Sequence, residues 1–211
     1  RNPMADPFIV GVSSGASLGA VLATLLGFEA AAFGFSGPGL LAFLSGLGIV
    51  SLVYALSLRR GGFKVETLLL TGIAAGALAS ALTSFLLFMR SDSYDQAVFW
   101  LLGSFQLAEW SQVVTIAPWV VFCLAASIWL ARDMDLLALG DETAQALGSP
   151  VRRVRKAFLA MSALLAALAV AVSGIIGFVG LVVPHWVRIL IGPNHRRLFA
   201  ASALVGGTFL L

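Results

Sequence analysis

Apolar residues in this chain run on without alternation for lengths close to the thickness of a lipid bilayer. Such stretches extend from about Phe8 to Phe28, Leu40 to Leu58, Val65 to Met89, Val113 to Ala131 and Ala157 to Ile191, and a last one opens at Leu198. A helix needs about 20 mostly apolar residues to cross a hydrocarbon core of roughly 30 Å. Only 11% of the residues are charged and 60% are hydrophobic, whereas a soluble domain is about 25% charged. Strands of a transmembrane barrel alternate lipid-facing and lumen-facing residues, and these runs do not. The expectation is an all-α, polytopic membrane protein forming a single transmembrane domain over residues 1–211.

Ala157–Ile191 is too long for one crossing, because a straight helix at about 1.5 Å per residue would reach roughly 50 Å. Gly174, Gly177 and Gly180 lie in its middle and Pro184 follows. The run is therefore expected to split into one crossing ending near Ser173 and a shorter, irregular return from about Ile176. Charge supports the split. It puts Arg1, Arg59, Arg60, Lys64, Arg132, Arg152, Arg153, Arg155, Lys156, Arg188, Arg196 and Arg197 on one side of the membrane. Arg90 falls on the other side with Glu29, Asp92, Asp95 and Glu109. The bias of Lys and Arg toward cytoplasmic loops then places Arg59, Arg152 and Arg196 inside. Trp100, Trp110 and Trp186 fall near the expected interfaces, where amphipathic rings are favoured. The chain starts at Arg1 and stops at Leu211 within an apolar run, which reads as an internal piece of a longer polypeptide.

Several segments carry more than span length. Gly11, Gly15 and Gly19 recur every fourth residue, and Gly72 and Gly76 repeat the spacing; such strips let helices approach closely in lipid. Ser13, Ser14, Ser17, Thr71, Ser80 and Thr83 either line a polar path or bond back to their own helix carbonyls. In the connection over residues 133–156, Asp133 or Asp135 is expected to cap a short helix at Met134–Leu139. Gly140 breaks it, and Asp141 caps a second over Glu142–Leu147 before Gly148 and Pro150. With Leu136, Leu137, Leu139 and Leu147 as knobs, this pair either lies on lipid or docks a soluble partner. Asp141 and Glu142 favour the partner, since anionic lipid attracts basic residues. Ala97–Leu102 reads as a short helix at the outer interface.

Functional chemistry is sparse. Cys123 sits in an apolar run and reads as a packing residue. His185 and His195 have no further Cys or His near enough in sequence to complete a metal site. No Gly-rich Lys-Ser/Thr phosphate loop and no HExxH or GxSxG motif occurs. A net charge of +3 does not point to nucleic acid. Broken helices at Gly174–Pro184 suit a transporter.

Three motifs in order give the sequence a recognisable likeness. RNPMADPFIVGVSSGASLGA at 1–20, LALGDETAQALG at 137–148 and GFVGLVVPHWVRILIGPNHRRL at 177–198 resemble FecCD-type permeases, and WLLGSFQLAEW at 100–110 agrees. These are membrane subunits of ATP-binding-cassette importers for iron–siderophores, haem and cobalamin. The resemblance implies a ten-span permease of the bacterial cytoplasmic membrane, of which this chain covers spans three to eight and the start of the ninth. It implies a homodimer, a cytoplasmic ATPase that binds the ATP, and a periplasmic or lipid-anchored binding protein. By the same resemblance, Leu139, Gly140, Asp141, Glu142 and Ala146 form the ATPase-coupling loop. Gly72, Gly76, Ser80 and Thr83, within Glu66–Met89, are candidates to line the pathway. Lys64–Thr67, with Val65 and Glu66, corresponds to the cytoplasmic gate. The resemblance assigns no catalytic residue, resident metal or cofactor.

The competing class is a secondary transporter or channel that works without an ATPase. Ion coupling usually requires an ionisable residue within a span, and the span interiors here carry none apart from Glu66 and Arg188 near span ends. An intramembrane enzyme would need a nucleophile–base or metal constellation, which the sequence does not offer.

Overall fold

The computed structural model describes residues 10–28, 34–58, 65–89, 94–106 and 108–211. Among them are ten α-helices and no β-strand: α1 (Val12–Leu25), α2 (Gly37–Leu58), α3 (Val65–Met89), α4 (Tyr94–Leu102), α5 (Trp110–Trp129), α6 (Ala131–Leu139), α7 (Asp141–Ala146), α8 (Val151–Ser173), α9 (Val179–Ile191) and α10 (His195–Leu210). Four of these, α2, α3, α5 and α8, are long and apolar enough to cross a membrane. At 14 and 13 residues, α1 and α9 reach only about 20 Å each. Arg1, Glu29, Arg59, Arg60, Lys64, Arg90 and Asp92, used in the charge assignment, lie outside the described residues, as do residues 1–9 of the motif at 1–20.

The expected split of the long apolar run is present. Helix α8 ends at Ser173 and α9 starts at Val179. Gly174 turns the chain with φ 66°, and a Cβ there would run into the carbonyl oxygen of Trp100 and come within 2.9 Å of Gly103 Cα. The amide of Ser104 donates to Ser173 O at 2.7 Å, so the end of α4 sits against the break. Trp100 is half-buried and packs against the cluster of Ala16, Ala20, Ala42 and Val170, whereas Trp110 and Trp186 are exposed.

Two compact units make up the fold, one within Pro7–Ile116 and Ala163–Ile176, the other within Ala117–Ser162 and Gly177–Leu211. In the first, α1 lies against both α2 and α3. Gly11, Gly15 and Gly19 face Ile49, Ser45 and Leu41 of α2: a Cβ on Gly15 would lie 2.9 Å from Ser45 O, and one on Gly19 would overlap Ser45 Oγ and Leu41 O. Both strips repeat every fourth residue, so two antiparallel backbones approach along one line and gain dispersion contacts that lipid does not match. Helix α3 buries Leu68, Gly72, Gly76, Ala79 and Thr83, a stripe at spacings of three and four, with Gly76 beside Gly11 and Ser14 of α1. The α8 portion adds Ala163, Ala167 and Ala171, packed with Val12, Val50 and Phe35.

The second unit departs from the expected capping. Helix α6 begins at Ala131, three residues before Met134, and neither α6 nor α7 has a side-chain N-cap. Asp133 and Asp135 lie inside α6 and Asp141 is the first residue of α7, so none sits at a cap position. Their carboxylates are taken by partners distant in sequence. Helix α8 starts at Val151, directly after Pro150, and takes Arg152–Lys156 into its first turns. Elsewhere in this unit Val183, Val187 and Leu198 join α9 to α10.

Gly19→Ala is expected to lower the thermal midpoint of the detergent-solubilised protein, at a cost of about 1–3 kcal/mol from overpacking. Gly48→Ala, whose added carbon meets nothing within 4 Å, should leave it unchanged. Equal midpoints would remove the glycine seam from the account of α1.

Candidate coupling site

Helices α6 and α7 are joined through Gly140, whose φ of 124° and ψ of 155° belong to a region open essentially to glycine. The sharp joint lets two short helices fold back on one another, with Ala144 fully buried and Ala131 nearly so. Outward from the pair point Leu139, 66% exposed, with Glu142, Thr143 and Ala146. Leu147 is also exposed, but Leu136 and Leu137 are half-buried. The free surface is therefore an apolar knob beside one carboxylate, on a scaffold too short to stand alone as helix.

Of the sequence-predicted coupling residues, Leu139, Glu142 and Ala146 share this surface, and Gly140 is the joint behind it. Asp141 has a different place: its Oδ1 accepts from Arg155 Nη2 at 2.5 Å. Asp133 accepts from the hydroxyl of buried Ser149 at 2.7 Å. Asp135 Oδ1 accepts from the backbone N of His195 at 3.2 Å and lies 2.5 Å from its Nδ1. A carboxylate has no proton to give, so Nδ1 is the donor. Three acidic side chains thus fasten the pair to the start of α8 and the start of α10. Arg155, Ser149 and His195 were not assigned this role from sequence; their partners lie 14, 16 and 60 residues away, and no periodicity reports such pairings. Arg152, Arg153, Arg155 and Lys156 crowd a helix N-terminus, where the macrodipole favours anions. Asp141 offsets part of that penalty at Arg155.

The pathway candidates share one side of α3 and differ in burial. Gly72, Gly76 and Thr83 belong to its buried stripe, and Thr83 Oγ1 donates back to Ala79 O at 2.9 Å. Ser80 is exposed and its hydroxyl reaches Ser14 Oγ at 3.4 Å. Glu66 is exposed in the first turn of α3. Lys64 and the side chain of Val65 lie outside the described residues. His185 is exposed, well separated in role from the paired His195. Both partners of the Asp141–Arg155 pair keep substantial solvent contact, at 44% and 31% side-chain exposure, so the pair contributes about 0.2–1 kcal/mol. Asp141→Asn and Arg155→Gln are each expected to shift the unfolding free energy by less than about 1 kcal/mol, measured by thermal unfolding in detergent. A larger loss would make the pair a stability element first.

The chain is 42% identical over 217 residues to the cobalamin import system permease protein of Halobacterium salinarum, covering all of this chain and 56% of that protein. It is 40% identical over 220 residues to the hemin transport system permease protein of Yersinia pestis, and 38% identical over 211 residues to the Fe(3+) dicitrate transport system permease protein FecD of Escherichia coli, in each case over 64% of the relative. The chain thus spans between 56% and 64% of the length of these relatives. A solved structure described as an inward-facing conformation of a metal-chelate type ABC transporter superposes with a TM-score of 0.89 at 34% identity, over all of this chain and 66% of the other. The profile of the FecCD transport family matches residues 1–211. With its helices, its broken eighth-to-ninth connection and its sequence all in agreement, this multi-pass helical membrane protein belongs to the FecCD transport family.

Proposed function

We propose that the chain is the membrane-crossing core of a permease subunit in an ATP-driven importer, moving an iron–siderophore or a related metal chelate such as haem or cobalamin into the cytoplasm. The observation that carries this is the exposed surface of Leu139, Glu142 and Ala146, held out on two braced short helices in a chain whose relatives are named as import permeases. That surface docks into a cytoplasmic ATP-binding-cassette ATPase, which binds the nucleotide and supplies the energy. Two copies of the permease enclose the pathway, and a periplasmic or lipid-anchored protein delivers the ligand. The host is a bacterial cytoplasmic membrane, with Arg152 and Arg196 inside by the positive-inside bias.

Within this scheme α3 borders the pathway. Gly72 and Gly76 set how closely α3 lies against the start of α1, and Ser80, one turn after Gly76, sits at the exposed margin of that contact beside Ser14. Val65 and Glu66, at the start of α3, sit at the cytoplasmic gate.

The full-length protein, reconstituted with its ATPase, tests the docking assignment. Gly140→Pro combined with Asp141→Lys is expected to abolish ATP-driven uptake while the spans remain folded, because proline, fixed at a φ of about −65°, cannot form the joint and lysine reverses the charge beside it. Intact uptake in that variant would falsify the coupling role. Orientation has its own check in a Cys123→Ala background: Arg153→Cys and Arg196→Cys should react with an impermeant maleimide only from the cytoplasmic side, and Glu109→Cys only from the outside. Labelling of Arg153→Cys and Arg196→Cys from opposite sides would undo the topology.

A further inference from the structure

Two polar links and an aromatic stack of the second unit close into a ring. Asp141 at the start of α7 holds Arg155 of α8 at 2.5 Å. One turn further along α8, the ring of Phe158 stacks on Phe199 of α10, with centroids 5.7 Å apart. Phe199 lies one turn after His195, whose ring is 5.9 Å from it. His195 returns the path to Asp135 of α6 through its ring nitrogen and its backbone amide. The side chain of His195 is only 13% exposed, so water competes poorly for the bond. Asn194 separately caps α10 by accepting from the amide of Arg197 at 3.3 Å. Asp135 is therefore not needed merely to start that helix, and its two bonds to His195 tie α10 to α6.

We infer that Asp135 and His195 are positioning residues for energy coupling: they bind α6 to the first turn of α10, so that a displacement of the docked α6–α7 pair moves α10 with it. This rests on the ATPase-docking role proposed above. Opposite attachments at α8 and α10 make the α6–α7 pair a body clamped at both ends, and the one permissive joint is Gly140. Neither residue belongs to the exposed docking surface, so loss of the bond leaves docking in place and uncouples it from the spans.

The test uses the full-length protein with its ATPase and binding protein in proteoliposomes, reading ligand imported per ATP hydrolysed. His195→Ala should still co-purify with the ATPase, but import per ATP should fall about tenfold, the weight of one charge-assisted hydrogen bond. His195→Asn, whose amide N–H replaces the ring donor, should recover most of it. Asp135→Ala removes the backbone bond as well as the ring bond and should lose at least as much as His195→Ala, and the double variant should be no worse than Asp135→Ala alone. Where His195→Ala does not reach the membrane, His195→Ser removes the ring bond and is read the same way. Unchanged import per ATP, additive losses, or failure of His195→Asn to recover would overturn the inference, as would loss of ATPase co-purification in the single variants. Failure of the unaltered protein to bring down an ATPase would instead overturn the docking role itself.

Discussion

Lipid hydrocarbon is as apolar as leucine, so helices inside it gain nothing from hiding leucine from solvent. What they gain is closer contact than lipid chains provide, and that requires small residues where axes cross. Helix α1 is built on this constraint. Its Gly15 and Gly19 leave no room for even a methyl group against Ser45 and Leu41, and Gly76 comes in from α3 near Gly11 and Ser14. The hydroxyls in these seams are largely self-contained: Ser17, Ser45, Ser57 and Thr83 each donate to a carbonyl one turn back. Polar atoms can therefore sit within tight seams without needing a partner on another helix, and hydroxyls alone do not mark a pathway.

Near the aqueous boundary the rules reverse. The α6–α7 pair is too short to be stable by helix propensity, and exposed ion pairs stabilise little. The value of Asp133, Asp135 and Asp141 lies in geometry: each fixes one point of the pair to a neighbouring element. A modest contribution to folding is compatible with a large one to the placement of Leu139 and Glu142.

What could be read from the sequence follows the same division. Span positions and the break after Ser173 depend on apolar length, glycine and charge along the chain; the structure has the break and a helix in each apolar run, four of them of crossing length. The caps assigned to Asp133, Asp135 and Asp141 were local inferences, and they failed because distant partners won those carboxylates. Ala163, Ala167 and Ala171 form a third small-residue strip on α8, hidden in the sequence because alanine is abundant throughout. Gly72, Gly76 and Thr83 were legible as special but not as to role, since close packing and pathway lining call for the same residue types. Only the three-dimensional placement of α3 shows Gly72, Gly76 and Thr83 buried and Ser80, one turn after Gly76, exposed at the edge of the same stripe.

The brevity of α9 has a consequence for the membrane itself. At 13 residues it covers about 20 Å of a hydrocarbon layer roughly 30 Å deep. The remainder falls to non-helical chain around Gly174–Phe178, whose peptide groups cannot be left facing lipid tails. Protein or water must meet them. Hydrophobic mismatch costs fractions of a kcal/mol per Å, and a protein with a helix this short feels acyl-chain length at that point. The thickness of the host membrane thereby becomes a determinant of the energy of this fold, alongside its sequence.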